Sequence, residues 1–386
     1  MSRPAWLTLR RVALVAILAV AATGVVLVLT GSRSGLICLS AQPEGIMNTD
    51  VDLLVVVPAG QESQAQDALD QAEKELRRIE DLMSPYKEGS DVWRLNAAKA
   101  GQTVRLSSET MDVLEMGRQL AANTKGALDV TCGAMLQLWK DAGKRKAVPT
   151  PAEIAAAKAN VGFDKLELGQ DFAVKQVQGL KVDLSAIAKK YAIDKAIERM
   201  KQAGVTGGRV NIGGDLRVFG RPTKGDTWLV EIVDPFDNNP DLDSRRKLGT
   251  LAIRDAAVIT SGNYERYVTI NGRTYSHIVD PRTGKTCDGV PSVTVVGPEA
   301  ICGTWATALS VLGWQGHTLM PAGTMAMVVE GNAKSHWIHC DQAFANLLQD
   351  KSVIKQWSTT THATPNVEAT TQPTSEPTTA SAPASK

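Results

Sequence analysis

The first candidate for chemistry in this sequence is a histidine within an alternating apolar run. His277 alternates with Tyr275 and Val279, and 280-DPRTG-284 follows at once. The alternation predicts a short strand, and the proline and glycine predict the turn that closes it. Imidazole changes charge near neutral pH, so a histidine held by such a turn could act as a general base. The structural alternative is an ordinary strand residue in front of a hairpin turn.

Four further segments combine small residues, a charged group and a turn signal. They are 126-GALDVTCG-133, 183-DLSAIAKKYAID-194, 211-NIGGDLRVFG-220 and 260-TSGNYERY-267. Asp183 is placed to cap the helix that carries Lys189, and the glycine pair of the third segment would let backbone approach a ligand. Each feature also has a structural explanation: a helix cap, a solvated helix face for Lys189 and Lys190, or a tight turn. GxGxxG, Walker A, GxSxG and HExxH patterns are absent, so the common nucleotide and hydrolase signatures assign no function.

The elements that would position these segments are strands and helices in irregular order. An amphipathic helix follows the first strand, with apolar residues at helical spacing from Ala65 to Ile79. The other predicted helices cover 108–122, 182–200 and 299–312, and the predicted strands cover 51–57, 209–212, 228–233, 256–260, 291–296 and 324–330. This order lacks regular βαβ alternation, which favours the α+β class.

The overall composition restricts the classes of function. The chain has 386 residues, of which 43% are hydrophobic, enough for one large or two medium domains with a substantial core. Its 42 basic and 41 acidic residues nearly cancel, and aromatic residues make up only 5%. A nucleic-acid binder normally shows a basic excess, so nucleic acid is not an expected partner. The five cysteines show no CxxC or zinc spacing, which argues against a thiolate metal site.

The N-terminal segment predicts export. Arg3, Arg10 and Arg11 precede residues 12–32, an uncharged apolar run long enough to cross a bilayer as a helix. A cleaved signal peptide is the alternative, although its apolar core usually spans about 7–15 residues. Basic residues in front of the helix would keep the N-terminus in the cytoplasm and the rest of the chain outside. We therefore expect a single-pass inner-membrane protein whose folded part lies on the periplasmic side.

The C-terminal segment has the composition of a disordered tail. Residues 360–386 are rich in Thr, Ser, Pro and Ala and nearly free of large apolar side chains, so they cannot offset the entropy of ordering by burial. The predicted organisation is a cytoplasmic stub, transmembrane anchor and linker over 1–45, one folded domain over 46–357 and a disordered tail over 358–386.

The succession of motifs resembles that of the FAD:protein FMN transferases, the ApbE family. The similar segments are 46-IMNTDVDL-53, 84-SPYKEGSDVWRLN-96, ALDVTCG with the LW that follows it, DLSAIAKKYAID, NIGGDLRVFG, ITSGNYERY, HIVDPRTG and ATALSVLG. They cover essentially the whole predicted domain, and the order and spacing of eight segments are hard to attribute to chance. The resemblance implies a single ApbE-like domain, related to the T-fold, that binds flavin.

The resemblance also implies an activity. Proteins of this family bind FAD and use a divalent metal, usually Mg²⁺, to split its pyrophosphate. They transfer the FMN half to a Ser or Thr hydroxyl of an acceptor protein and release AMP, whereas some relatives hydrolyse FAD to FMN and AMP. The implied partners are FAD, an exported acceptor flavoprotein and, through the N-terminal helix, the membrane.

The family pattern assigns roles to particular residues. His277 is implied as the catalytic base. The implied FAD contacts are Met47 and Tyr86 at the flavin, Ala127, Leu128 and Asp129 at the adenine and ribose, and Asp183 and Lys189. The implied metal ligands are the backbone carbonyl of Ala186 and the side-chain oxygen of Thr307.

Two departures from the family pattern bear on the metal. The family commonly has DLGGIAKGYA, where this chain has Ser185 and Ala186 for the glycine pair and Lys190 for the later glycine. The family also has an Asp four residues before the metal-binding Thr, on the same helical face, where this chain has Gly303. Glycine offers no side chain, and loss of the carboxylate should weaken a hard-cation site.

These departures leave two hypotheses from different classes. The first is an active, metal-dependent FMN transferase in which Asp280, Asp215 or water completes the metal shell. The second is a degenerate relative that binds flavin without efficient transfer, with FAD pyrophosphatase activity as a further alternative.

Overall fold

The computed structural model of the chain describes residues 25–26, 35–241, 244–263 and 267–356. The predicted transmembrane anchor, apart from Val25 and Val26, and the predicted C-terminal tail lie outside the described residues. Within the described ranges, no helix has the length and apolar character needed to cross a membrane. The anchor and the tail therefore stay predictions.

Helices and strands are mixed along the described part of the chain. In chain order the strands are β1 (Val25–Val26), β2 (Leu36–Ala41), β3 (Val51–Pro58), β4 (Val104–Arg105), β5 (Leu166–Leu168), β6 (Phe172–Lys175), β7 (Gly207–Ile212), β8 (Asp215–Gly220), β9 (Trp228–Val233), β10 (Lys247–Ile253), β11 (Ala257–Gly262), β12 (Tyr267–Ile270), β13 (Arg273–Ser276), β14 (Ser292–Gly297), β15 (Met325–Asn332) and β16 (Ser335–Cys340). The α-helices are α1 (Glu62–Met83), α2 (Asp91–Ala97), α3 (Ser108–Asn123), α4 (Gly133–Arg145), α5 (Pro151–Lys158), α6 (Ser185–Gln202), α7 (Thr304–Leu312) and α8 (Gln342–Asn346). Short 3-10 helices cover Phe163–Lys165, Ala300–Gly303, Trp314–Leu319 and Lys351–Gln356. The predicted mixture without regular βαβ units is confirmed.

A large antiparallel sheet organises the fold. Nine strands of the described ranges pair in the order β1-β2-β3-β7-β8-β11-β14-β15-β16. β14 is buried at all its positions because apolar cores cover both faces of the sheet. Residues of α1, α6 and α7 belong to the core on one face, and residues of β9, β10 and α8 belong to the core on the other. β7 and β11 end, and β8 begins, at the same end of the central strands. The start of α6 lies there too.

Several elements differ from the prediction, among them β1, β2 and α7. Val25 and Val26 fall within the predicted transmembrane helix, yet they form β1, which pairs with β2. Residues 36–41 fall within the predicted linker, yet they form β2, whose alternate side chains are buried. β2 pairs with β3 along its full length, from Leu36 opposite Pro58 to Ala41 opposite Leu53. The predicted helix over 299–312 begins instead as a 3-10 helix and becomes α7 only after Gly303, a residue type that disfavours α-helix.

Candidate active site

Two adjoining cavities gather the residues to which the family pattern assigns roles. The first, of about 220 Å³, is lined by Ala127, Leu128, Asp129, Asp183, Ala186, Lys189, His277 and Thr307. The second, of about 240 Å³, is lined by Met47, Tyr86, Asp183 and Lys189. Both cavities are also lined by Thr49 and Ser185, so they meet at the start of α6. Joined, they reach the roughly 300–1,000 Å³ of a typical small-molecule site.

The segments around Asp129 and Asp183 run side by side. The backbone N–H of Asp183 donates to the carbonyl of Val130 (2.8 Å), and the N–H of Gly133 donates to the carbonyl of Lys181 (3.0 Å). A Cβ at Gly133 would lie 2.7 Å from the Lys181 carbonyl oxygen, so glycine permits this approach. The pairing brings carboxylates from two separate motifs to one cavity.

Asn96 fixes the same segment through its side-chain amide. The amide donates to the carbonyl of Val182 (2.8 Å) and accepts from the N–H of Val182 (2.7 Å). The next residue, Asp183, accepts a hydrogen bond from the backbone N–H of Ser185 (2.9 Å), the first residue of α6. Asp183 therefore lies at this helix N-terminus as predicted, although the N-cap residue itself is Leu184. Asn96 of the Leu-Asn motif holds the segment there.

Burial controls the protonation of the groups around Asp129. Thr131 donates to the Asp129 carboxylate through its backbone N–H (2.8 Å) and its hydroxyl (2.6 Å). Burial raises the pKa of Asp129, and these hydrogen bonds oppose the shift. Burial also raises the pKa of Cys132, and the carboxylates of Asp183 and Asp129 add to the effect. Cys132 therefore lines the cavity as a neutral thiol at neutral pH, which makes it a poor nucleophile.

Met47 lies in a strained turn at the second cavity. Met47 and Asn48 both have a φ of 52°, a left-handed conformation that costs other residues than glycine on the order of 1–3 kcal/mol. A bridge between Ile46 and Thr49 closes the turn, and the N–H of Met47 donates to a carboxylate oxygen of Glu80 (2.9 Å). Strain that a second element holds in place is typical of ligand sites. The geometry supports the predicted contact between Met47 and a ligand.

Tyr86 lies at the outer edge of the second cavity. Its side chain is 66% exposed, and Nζ of Lys140 lies 4.8 Å from the centre of its ring. The loop that carries Tyr86 is closed by the hydroxyl of Ser90, which donates to the carbonyl of Ser84 (2.6 Å). A large exposed aromatic ring beside a cavity offers a face on which a planar ring system can stack.

His277 lies on the exposed rim of the first cavity, one residue beyond β13. The strand predicted to run through Val279 is therefore too long, since β13 ends at Ser276. The chain bends there because the hydroxyl of Ser276 accepts from the N–H of Ile278 (3.0 Å) and the Asp288 carboxylate accepts from the N–H of Ser276 (3.0 Å). The histidine backbone is thus fixed between two hydrogen-bonded neighbours.

The predicted turn after His277 is confirmed. The Asp280 carboxylate accepts from Nε (2.9 Å) and Nη2 (3.0 Å) of Arg282, and its backbone carbonyl accepts from the N–H of Gly284 (2.8 Å). Gly284 has a φ of 73°, a conformation that favours glycine. The indole N–H of Trp139, on α4, donates to the Gly284 carbonyl (2.9 Å). The turn is therefore closed internally and anchored to a neighbouring helix.

The two adjacent lysines of α6 share one acid at the first cavity. Nζ of Lys189 lies 2.7 Å from Oδ2 of Asp215, and Nζ of Lys190 lies 3.5 Å from the same oxygen. Lys190 and Asp215 are both buried, so a solvated helix face is the wrong explanation for Lys190. Burial lowers the pKa of Lys190, and the Asp215 carboxylate opposes this shift. Asp215 reaches this place from the start of β8, directly after the Gly213-Gly214 turn.

Ala186 and Thr307 line the first cavity from α6 and α7, but Gly303 does not share their position. Gly303 packs its backbone against Ile259 of β11. A Cβ at Gly303 would lie 2.1 Å from Cγ1 and 2.4 Å from Cβ of Ile259. A side chain at position 303 would therefore require the sheet or the helix to move.

These residues do not fit the magnesium site that the family pattern implies. Mg²⁺ usually binds to one or two carboxylates together with substrate phosphates and water. Of the acids considered as substitutes, Asp280 is paired with Arg282, and Asp215 is paired with two lysines. Within the described ranges, no three His, Cys, Asp or Glu side chains are grouped so that they could hold a metal ion. The other carboxylates of the cavity, Asp129 and Asp183, accept hydrogen bonds from Thr131 and Ser185. The donors that the family pattern still provides, a backbone carbonyl and a hydroxyl, do not replace the missing carboxylate.

Two other parts of the first cavity lie in motif segments to whose lining residues the sequence assigned no role. One is the end of β11, where Thr260, Ser261 and Gly262 of the predicted TSG segment line the wall. The other is Thr49, for which the glycine pair is the signal: a Cβ at Gly213 would lie 2.4 Å from Oγ1 of Thr49. The glycine pair predicts a close approach, and the group that approaches is a threonine hydroxyl.

Comparison with known proteins identifies the family. The model of the ApbE family matches residues 47–329, well over half of the chain. The chain belongs to the ApbE family. The matched range contains all the predicted site residues, from Met47 to Thr307.

Several relatives support this membership. The FAD:protein FMN transferase of Salmonella typhimurium is 34% identical over 242 residues, which are 61% of this chain and 68% of the relative. The enzyme of the same name from Vibrio cholerae is 33% identical over 242 residues, 62% of this chain and 71% of the relative. Among solved structures, the apo form of Pseudomonas stutzeri flavinyl transferase ApbE has a TM-score of 0.68 at 27% identity and covers 82% of this chain and 97% of its own. The ApbE protein of Thermotoga maritima has a TM-score of 0.70 at 26% identity and covers 81% of this chain and 100% of its own. The predicted ApbE-like fold is confirmed.

Proposed function

We propose that this ApbE-family chain transfers the FMN half of FAD to a Ser or Thr hydroxyl of an acceptor protein and releases AMP. The observation that carries the proposal is that residues of separate motifs meet at one site. The family pattern assigns roles to ten residues from separate segments. All ten line two cavities that meet at the start of α6. The printed names of the relatives, FAD:protein FMN transferase, agree with it.

The shape of the site suggests how a dinucleotide would lie. The second cavity offers Met47 and the exposed ring of Tyr86 to the flavin, and the first offers Ala127 to Asp129 to the adenosine half. The residues common to both cavities would then face the pyrophosphate. Lys189 is one of them, and its ammonium group is suited to the negative charge of phosphate.

His277 supplies the base in this proposal. The acceptor hydroxyl oxygen forms a bond to the phosphorus of the FMN half, the bond from that phosphorus to the bridging oxygen breaks, and AMP leaves with that oxygen. The hydroxyl proton passes to the imidazole of His277, which lies on the exposed rim where a protein acceptor can reach it. General-base catalysis of this kind contributes about 10²–10⁴-fold in rate. The proposed reaction does not use the magnesium ion that the resemblance implies, because the residues present do not fit a magnesium site.

The location of the reaction is a further part of the proposal. The apolar run at 12–32, with basic residues in front of it, supports an inner-membrane anchor and an acceptor on the periplasmic side. Protease added to intact spheroplasts should degrade the domain, and protection of the domain would contradict this placement.

The activity is tested by incubating the full chain, solubilised in detergent, with FAD and an acceptor domain that carries a Ser or Thr flavinylation site. Covalent flavin fluorescence on the acceptor after denaturing electrophoresis, with AMP released in equal amount, is the expected result. An acceptor with that hydroxyl residue changed to Ala is the control. Tight FAD binding without AMP would favour the flavin-binding alternative, for which Gly303 is the supporting observation. AMP together with free FMN would indicate a pyrophosphatase.

A further inference from the structure

The first cavity contains a buried cation that the proposed reaction has not used. Lys190 is only 6% exposed, yet it lines this cavity together with Lys189 and Asp215. Nζ of Lys190 lies 3.5 Å from Oδ2 of Asp215, while Lys189 holds the same oxygen at 2.7 Å. The two lysines therefore share one carboxylate oxygen, while the other carboxylates that line the cavity, Asp129 and Asp183, belong to separate segments.

A lysine with so little solvent keeps its proton only beside a compensating negative charge. The charged groups that act on Lys190 are the carboxylate of Asp215, which attracts it, and the ammonium group of Lys189, which repels it. A phosphate group in the first cavity would provide the second negative charge. An ammonium group is a good phosphate partner, as a compact point charge with three donors.

Relative to the family pattern, the chain gains a lysine at position 190 and loses an acid at position 303, beside the start of α7. At position 303 there is no carboxylate, and Ile259 occupies the space where the side chain would begin. The chain therefore lacks the carboxylate that the family pattern gives to the metal at this position and has an additional lysine side chain in the cavity. The two features have the same electrostatic consequence, since each reduces the need for a metal ion beside the pyrophosphate.

We propose that Lys190, together with Lys189, neutralises the pyrophosphate of FAD in place of a divalent cation, so that this chain binds FAD without metal. The inference rests on the proposed function for the identity of the dinucleotide. It goes beyond that function because it assigns a role to Lys190 and removes the metal requirement.

The test measures the dissociation constant of FAD for the full chain by calorimetry, once in excess EDTA and once in excess Mg²⁺. The wild type should bind FAD with the same affinity in both buffers. Lys190→Met, which removes the charge but keeps an unbranched side chain, should weaken FAD binding in EDTA by about 10- to 100-fold, the usual effect of losing one charge-assisted hydrogen bond. Asp215 keeps Lys189 as a partner in this variant, so the fold should survive.

Two comparisons separate a charge role from a structural one. Riboflavin carries no phosphate, so its affinity should be the same for wild type and Lys190→Met. Lys195→Met is the matched control, because Lys195 lies on the same helix, pairs with Glu198 (3.1 Å) and does not line either described cavity. This variant should bind FAD as the wild type does.

Each contrary result has a distinct meaning. FAD binding by the wild type that is more than about tenfold weaker in EDTA than in Mg²⁺ would overturn the inference and leave the transferase proposal intact. Equal loss of riboflavin and FAD affinity in Lys190→Met, or no loss of either, would also overturn it. Failure of the wild type to bind FAD in both buffers would reject the proposed function itself, and this inference with it.

Discussion

The turn that carries His277 and the corner formed by α6 and α7 differ in how closely they follow the family pattern. In the turn, the residues that set the backbone are all present: Asp280 is paired with Arg282, and Gly284 adopts its left-handed φ and is held by Trp139. At the corner, the expected glycine is Lys190 and the expected acid is Gly303. The cavity thus has one wall that follows the family pattern, the turn after His277, and one altered wall, the corner of α6 and α7.

The difference argues against general decay of the site. A site without function should lose costly features first, yet the strained turn at Met47 is still held by Glu80. The changes at the corner are also mutually consistent. Gly303 leaves room that Ile259 fills, and Lys190 finds a partner in Asp215. Such consistency indicates a site in which the source of positive charge has changed, rather than one that has been abandoned.

The largest effect is expected at the wall that follows the family pattern. His277→Ala should lower the rate of FMN transfer by about 10²–10⁴-fold because it removes the base, while FAD affinity stays close to that of the wild type. Rates come from AMP release, and affinities come from calorimetry. His336→Ala serves as control. His336 lies on β16, its ring centre is 4.7 Å from that of Phe236, and it lines neither of the two cavities. Unchanged transfer in His277→Ala would assign the base to another group and remove the contrast between the walls.

The altered wall should resist restoration of the family residue. Gly303→Ala already adds the atom that would contact Ile259 at 2.1 Å, so it should lower the free energy of unfolding by about 1–3 kcal/mol, the usual cost of overpacking. Gly303→Asp should be at least as destabilising and should not create a response of transfer to Mg²⁺. Urea unfolding measures the first effect, and AMP release with and without Mg²⁺ measures the second.

The controls for this wall are a glycine and a double variant. A Cβ at Gly289 would meet no atom within 4 Å, so Gly289→Ala should be nearly neutral. The penalty of Gly303→Ala should be smaller when Ile259 is already Ala, because two of the three close contacts are then gone. Equal penalties in the two backgrounds would show that Ile259 does not limit position 303.

Local sequence patterns predicted much of the fold. Strong periodicity placed β3, α1, α3 and α6 within a few residues of their observed bounds, because each buries apolar side chains in the same core. β2 was missed, since its six residues follow the long apolar run and were assigned to the linker. Its alternation, with three of six side chains buried, is a signal that pairing with β3 makes clear only in the structure.

The site was predicted where it depends on motif order and missed where it depends on packing. Ordered motifs led to Asp129, Asp183 and His277, which line one cavity. The contact between Ile259 and Gly303 depends on how the start of α7 lies on β11, and no spacing in the sequence reports that distance. For the same reason the burial of Lys190 could not be read from a helix that carries two adjacent lysines.

The smallest expected effect concerns the anchor of the His277 turn. Trp139→Phe keeps an aromatic ring near Tyr275 (5.3 Å) but removes the hydrogen bond to Gly284, so it should lower the free energy of unfolding by about 1 kcal/mol. Transfer should fall several-fold because the base is held less firmly, and FAD affinity should not change. Trp228→Phe is the matched control: its indole N–H donates to the Gly220 carbonyl (3.2 Å) on the opposite side of the sheet. This variant should lose similar stability and no transfer. If both variants lost transfer equally, the effect would reflect stability alone, and the turn would not be a positioning device for His277.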